Sequence, residues 1–304
     1  MSNLNRIIRG RRDKLNILTF PTHERYETNL SLTGHNFYSF HIKGSKKWNY
    51  EHMPPPENYH ILPEEQLCSF IGYDLILSQS KYWQYQVAQQ INRQLGLPLI
   101  CLEHTVPTPN VHSEEQITEL KKMYGLVNVY ISQYSKEQWN GPDSSVIIHH
   151  GVDNNTFRDT GLKRNNTILT VANDFKNRDY CLGYTLWQEV TQGFETKLIG
   201  ESEGLSLPAK DNDELRDAYN TASIYFNSTT LSPIPTTALE AMACGCAIVS
   251  TATCAIPEFV EHGVGGLLSN DPLQLREYIK HLQENPEIAR KMGQHNANYI
   301  RNNM

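Results

Sequence analysis

The strongest constraint on this chain lies in residues 236–266, TTALEAMACGCAIVSTATCAIPEFVEHGVGG. The opening run TTALEAMACG favours a helix and stops at Gly245. The run CAIVST that follows is apolar, as in a parallel strand buried on both faces. Pro257 then opens a second short helix, EFVEH, and a glycine-rich turn closes the stretch. A helix feeding a buried strand is half of an α/β unit, and such units hold nucleotides at helix N-termini and strand ends. One carboxylate, Glu240, stands among Ala238, Leu239, Ala241, Met242 and Ala243. A glutamate in that company is costly to bury without partners. It is either on the outer face of its helix or it has a ligand to hold.

The remaining chain repeats the alternation. With 304 residues there is room for two domains. Strands are expected at residues 15–20, 37–42, 75–78, 99–102, 127–132 and 145–149, and helices at 82–95 and 114–124. Residues 59–62 are too short to assign alone. The second half starts again with strands at 167–172, 196–199, 223–226 and 247–250. Its helices are expected at 182–192, 213–221, 236–244, 271–282 and 286–301. Strands alternating with helices predict parallel sheets covered by helices.

This order of residues resembles the C-terminal half of GT-B glycosyltransferases, in particular the large retaining family known as family 4 or group 1. Members typically carry LEAMACG, a buried strand, a Pro-Glu pair and a Gly-rich turn. The matches here are Leu239 to Gly245, Ile248 to Ser250, Pro257-Glu258 and Gly263 to Leu267. The segment HHGVDNNTF, residues 149–157, is similar to the one that ends the family's first domain. Gly151, Val152, Asp153 and Phe157 fit, and His150 stands where Asn is usual. The resemblance is good from Val127 onward and weak before it. It implies an α/β protein of GT-B fold, two Rossmann-like domains facing a central cleft. Residues 1–158 would form the acceptor-side domain, and 159–304 the nucleotide-sugar domain with closing helices. The linker is expected around residues 159–166. The implied reaction is sugar transfer from a nucleotide-diphosphate donor, UDP- or GDP-linked, with retention at the anomeric carbon. It needs no cofactor and no dedicated metal.

Transfer of this kind needs cations or amides for the diphosphate, a carboxylate for the ribose, and polar groups around the sugar. The resemblance assigns Glu240 to the ribose hydroxyls. The family's first motif glutamate falls on Ser232, followed by Pro233, Ile234 and Pro235 where Gly-Phe-Gly is common. Proline has no N–H to give, so the sugar should be held differently. The donor then has fewer hydroxyls to satisfy, or its hydroxyls are held from the first domain, near His104 and residues 22–25. The prolines would instead aim the amides and hydroxyls of Thr236 and Thr237 at the diphosphate. The segment NDFKNRDY supplies Lys176 and Arg178 as its cations, Arg178 being favoured because a guanidinium grips two oxygens at once. His104 ends the strand LICLEH, at the sheet end where such folds bind ligands. The segment THERYE follows the first strand where the family often has a glycine pair. There His23, Glu24 and Arg25 become candidates for acceptor or phosphate contact.

Other features have plainer explanations. Asp211-Asn212-Asp213 precedes a helical run, so capping accounts for it. Gly263-Val264-Gly265-Gly266 follows a helix and reads as a turn. Six scattered cysteines without a CxxC pair read as buried thiols. No run of 18 apolar residues is present, and the basic start lacks a secretory signal's apolar core, so a cytoplasmic protein is expected. The net charge of −6 argues against general nucleic-acid binding. Two basic clusters remain: Arg6, Arg9, Arg11, Arg12 and Lys14, then Lys43, Lys46 and Lys47 with Trp48 and Tyr50. They keep open a transferase acting on modified bases of DNA, as some phage enzymes do. The lost glutamate keeps open a non-catalytic nucleotide-sugar-binding module. Otherwise the acceptor is a glycan or a lipid-linked glycan.

Overall fold

A computed structural model of the chain describes residues 14–50, 53–109 and 111–304. Arg6, Arg9, Arg11 and Arg12 lie outside the described residues. The chain divides into two compact units. The first runs to Ile131 and includes Lys136–Ile148; the second holds Ser132–Ser135 and His149–Met304. Each has its own sheet, and every strand pairing in both is parallel. The division falls at His149, ahead of the expected linker. Residues after it are sewn to the second unit: Phe157 packs edge-on against Tyr219, and the Asn220 amide donates to the Arg158 carbonyl.

In the first unit the strands are β1 (Asn16–Thr19), β2 (Asn36–Ser39), β3 (Tyr59–Ile61), β4 (Leu75–Ser78), β5 (Leu99–Glu103), β6 (Val127–Tyr130) and β7 (Val146–Ile147). Their order is β3-β2-β1-β4-β5-β6-β7. The chain winds outward from β1 and then returns to β1's other side as β4. That reversal is a topological switch point, where an open α/β sheet binds its ligand beyond the strands' carboxyl ends. Leu18, Phe20, Ile76, Ala88, Ile91 and Leu99 form the core beneath it. Helix α1 (Glu24–Ser31) occupies the THERYE segment that reads as a loop in sequence. It lacks an apolar stripe; His23 caps it, and Glu24 and Glu27 lie in its first turn, where acids suit the helix dipole. Helices α2 (Trp83–Leu95) and α3 (Glu114–Lys121) follow, and α4 (Gln133–Gln138) begins in residues of the second unit and ends in residues of the first.

The second unit orders its strands β12-β11-β10-β8-β9. These are β8 (Asn165–Val171), β9 (Thr196–Ile199), β10 (Ala222–Asn227), β11 (Ala247–Ser250) and β12 (Gly266–Leu268). The switch point falls between β8 and β10. Ile168, Ile224, Phe226 and Val249 meet Leu275 and Ile279 in the core, each such side chain contributing about 1.5–3 kcal/mol. The helix expected over 182–192 is two: α5 (Asp179–Leu182) and α6 (Tyr184–Thr191). Gly183 separates them with φ 70°, and a Cβ there would lie 2.1 Å from the Ser228 carbonyl oxygen. Only glycine fits so close an approach. Helices α7 (Asn212–Thr221), α8 (Thr236–Ala243), α9 (Ile256–Phe259), α10 (Pro272–Glu284) and α11 (Pro286–Asn303) complete the unit. The Asp211 side chain caps α7 by accepting the Glu214 N–H at 2.9 Å, and the glycine run is a turn into β12, with Gly263 N–H on the Gly266 carbonyl. Among the described residues no helix is long and apolar enough to cross a membrane.

Candidate functional site

In the second unit, two segments meet beyond the carboxyl ends of β8 and β10. The first is the turn carrying Lys176 and Arg178. Phe175, 1% exposed, anchors it against Tyr184 and Trp187. Lys176 and Arg178 themselves are exposed, and among the described residues neither side chain has an ion-pair or hydrogen-bond partner. The second segment, residues 227–235, is laced to the first. The N–H groups of Thr230 and Leu231 donate to the Cys181 carbonyl at 2.9 and 3.1 Å, and the Ser228 hydroxyl to the Leu182 carbonyl at 2.8 Å. Its far side is braced by β11's exit, where Thr253 donates to the Thr229 carbonyl at 2.8 Å and Ala255 N–H to the Pro233 carbonyl at 3.0 Å. The cations therefore sit on a turn fixed relative to the loop that leads into α8.

Pro233 and Ile234 are buried and Ser232 is half-buried. Pro235 is the N-cap of α8 and offers no side-chain acceptor, so the first turn has no side-chain cap. A helix N-terminus left in this way presents N–H groups and a positive dipole end, both suited to an anion. Thr236 is exposed at this end. Thr237 is half-buried, and its Oγ1 accepts the Tyr225 hydroxyl at 2.9 Å, which leaves the threonine proton able to donate. Glu240 follows on the same helix and is 4% exposed. The outer-face reading is thereby corrected: the carboxylate points into the unit, and its Oε2 accepts the Tyr219 hydroxyl at 3.1 Å. Tyr219 and Tyr225 are site residues that no local sequence signal revealed, because they come from a helix (Asn212–Thr221) and from β10 and reach α8 only in the folded unit. Cys244 and Cys246 are free and buried beneath α8; burial raises both thiols, Cys246 to about 11.

In the first unit, polar side chains gather at the switch point between β1 and β4. His104 follows β5, and its Nε2 lies 3.2 Å from Gln79 Oε1. The Tyr26 ring stands edge-on to it, centroids 4.1 Å apart. Gln79 Nε2 in turn donates to Thr19 Oγ1 (2.9 Å), the Phe20 carbonyl (3.2 Å) and Glu27 Oε1 (2.9 Å). Of the acceptor-side candidates, His23 uses its ring nitrogen to accept the Arg25 N–H. Glu24 is buried and accepts from Lys46 Nζ at 2.7 Å and the Asn49 N–H at 3.1 Å. It anchors the 46–49 loop and so has an architectural task. Arg25 lies beside it on α1, and this trio shares its helix end with a water-sized cavity lined by Thr22, Glu27, Ser39, His41, Lys47 and Tyr59.

Sequence reading passes over Glu27, yet it is the most perturbed carboxyl of this cluster. It is 1% exposed, and Oε1 accepts the Thr22 N–H and hydroxyl as well as Gln79. Its carboxyl also meets the buried Tyr59 hydroxyl, which is within reach of Ser39 as well. Burial outweighs the donors and raises its pKa from 4.5 to about 7. Between those two values the folded protein holds a proton that the unfolded chain has released, so stability falls as pH rises through that window. The full loss above pH 7 is on the order of 3 kcal/mol. Glu27→Gln should therefore gain on wild type in urea unfolding from pH 4.5 to 7 and level off beyond. A constant difference across that range would refute the buried titration.

The comparisons with known proteins agree with this architecture. Residues 191–285 match the family model described as Glycosyl transferases group 1. No curated protein matches the chain. Sucrose-phosphate synthase from Thermosynechococcus elongatus is similar in structure at a TM-score of 0.75, with 14% identity over 95% of each chain. HepE of Anabaena, solved with UDP and glucose, gives a TM-score of 0.75 at 14% identity over 96% of each chain. A glycosyltransferase from Rickettsia africae gives 0.66 at 12% identity, over 96% of this chain and 94% of that one. The fold is that of GT-B glycosyltransferases, and the likeness to the group 1 family model is confined to residues 191–285.

Proposed function

We propose that this protein is a retaining glycosyltransferase of the family 4 type, moving a sugar from a nucleoside-diphosphate donor to a glycan or lipid-linked acceptor. The observation that carries the reading is the second unit's switch point. A buried carboxylate, Glu240, follows an uncapped helix start that is braced to a turn bearing two exposed cations. The three pieces suit the ribose, the diphosphate and its charge in that order. In the reaction the bond from the anomeric carbon to the diphosphate oxygen breaks, and the acceptor oxygen bonds to the same carbon on the same face. The acceptor's proton passes to the departing diphosphate. Arg178, Lys176 and the N–H groups at Thr236 and Thr237 stabilise the charge that develops there. Glu240 binds and orients the nucleoside; a sugar contact for His104 is what the family resemblance implies.

HepE has been solved with UDP-glucose, so uridine donors head the panel. Thermal shift with UDP, GDP and their sugars, followed by donor turnover, tests the reading. No shift with any nucleotide would overturn it, and binding without turnover would leave the non-catalytic module. The DNA-directed reading draws on Lys43 and Lys47 with Tyr50, which is 66% exposed. Lys46 is less available, being paired with Glu24. Glucosylation of duplex DNA in preference to glycans would favour that reading.

The altered loop makes its own prediction. Pro233 and Pro235 donate nothing, and the Ser232 backbone is engaged by the Cys254 thiol. A hexose would leave hydroxyls unpaired here, at about 1–3 kcal/mol for each buried group. A donor with fewer hydroxyls fits better. Ser232→Glu should therefore not raise turnover with UDP-glucose. A clear gain would show an ordinary hexose site damaged at one position.

A further inference from the structure

Gln79 lies outside every segment considered for binding, yet its amide is fully committed. It is 1% exposed. Its backbone N–H donates to Gln84 Oε1 at 2.9 Å, and Gln84 Nε2 donates to the Pro21 carbonyl at 2.9 Å, so the residue is held from both ends. The two ends of an amide are told apart by their partners. One side of Gln79 faces the Phe20 carbonyl, which can only accept. That side must be the NH₂. Glu27 Oε1 lies on the same side and also accepts. The other side is then the carbonyl oxygen, and it faces His104 Nε2 at 3.2 Å. A carbonyl cannot donate, so the hydrogen between them belongs to His104.

We propose that Gln79 is a positioning residue that fixes His104 as the Nε2–H form, leaving the neutral ring's lone pair on Nδ1. Glu27 and the Phe20 carbonyl are the fixed points from which the amide is oriented. The consequence is directional. A group that meets the neutral ring at Nδ1 must donate to it and cannot accept from it. The Tyr26 ring, edge-on at 4.1 Å, holds the plane of the imidazole while Gln79 holds its rotation.

The tautomer is measurable without any reaction. Ring ¹⁵N shifts of the intact protein at pH 8, with His104 assigned by its loss in His104→Asn, should show Nε2 protonated and Nδ1 bare. An Nδ1–H ring in the wild type would overturn the proposal. Gln79→Met, close in shape but without the amide, should give a mixture of both tautomers. A ring that stays wholly Nε2–H in that folded variant would also overturn it. The link to catalysis rests on the transferase reading. There Gln79→Met should lower kcat by up to about 100-fold with KM for the donor little changed, the loss typical of a misplaced group. If His104→Asn retains full turnover, the role of His104 in transfer fails while the tautomer result stands, so the two failures are distinct.

Discussion

Glu240→Ala is expected to weaken UDP or GDP binding by roughly 10- to 100-fold in a protein that still folds. A charged acceptor lost from two ribose hydroxyls is worth about 1.5–3 kcal/mol, and each 1.4 kcal/mol is tenfold in affinity. The structure strengthens the argument beyond the motif. Glu240 is 4% exposed, so its carboxylate bonds form with little competition from water. Tyr219 donates to Oε2 at 3.1 Å and so holds that oxygen in place before any ligand arrives. Two controls separate the contributions. Glu240→Gln keeps the shape and an acceptor for Tyr219 but loses the charge, so its loss should be intermediate. Tyr219→Phe removes the brace alone and should cost less than either. Calorimetric titration of the nucleotide reads all three. An unchanged Kd in folded Glu240→Ala would remove Glu240 from the ribose role.

Much of the scaffold was legible because hydrophobic pattern is local. The strands at 75–78, 196–199 and 247–250 coincide with β4, β9 and β11; β4 and β11 are short, largely buried runs, and β9 is an edge strand that buries Ile199. Asp211 was readable as a cap because capping is a contact across three residues. The errors have one cause. Helix α1 carries no apolar stripe, since its job is to bury Glu24 and Glu27 among partners from Lys46, Asn49 and Gln79. Gly183 splits a helical run because the Ser228 carbonyl, 45 residues along the chain, occupies its Cβ position. The same holds for the site. Glu240 was visible as a lone acid in a small-residue run. Gln79 was not, because nothing in YDLILSQSK marks one glutamine as the hub between a carboxylate at position 27 and a histidine at 104. Sequence shows which residues are out of place; it does not show which ordinary residues hold them.

Arg178→Ala should lower kcat by about 100-fold while changing UDP affinity only a few-fold. Arg178 is exposed, so in the ground state water and salt screen its attraction for the donor diphosphate. In the proposed transfer, negative charge collects on the leaving oxygen as the anomeric bond breaks, and the same guanidinium would gain in the transition state what it did not have before. Its turn is held by the bonds from Thr230 and Leu231 to Cys181, so little reorganisation is needed when that charge appears. Lys176 shares the turn but offers a point charge, which cannot grip two oxygens. Its alanine variant should lose less. Arg178→Lys separates charge from geometry: a partial recovery is expected if charge alone matters, and little if the two-oxygen grip does. Steady-state kinetics with the donor identified by thermal shift decide the matter. A crippled Lys176→Ala beside a near-normal Arg178→Ala would reverse the assignment, and the leaving group would then be stabilised by the ammonium and the start of α8.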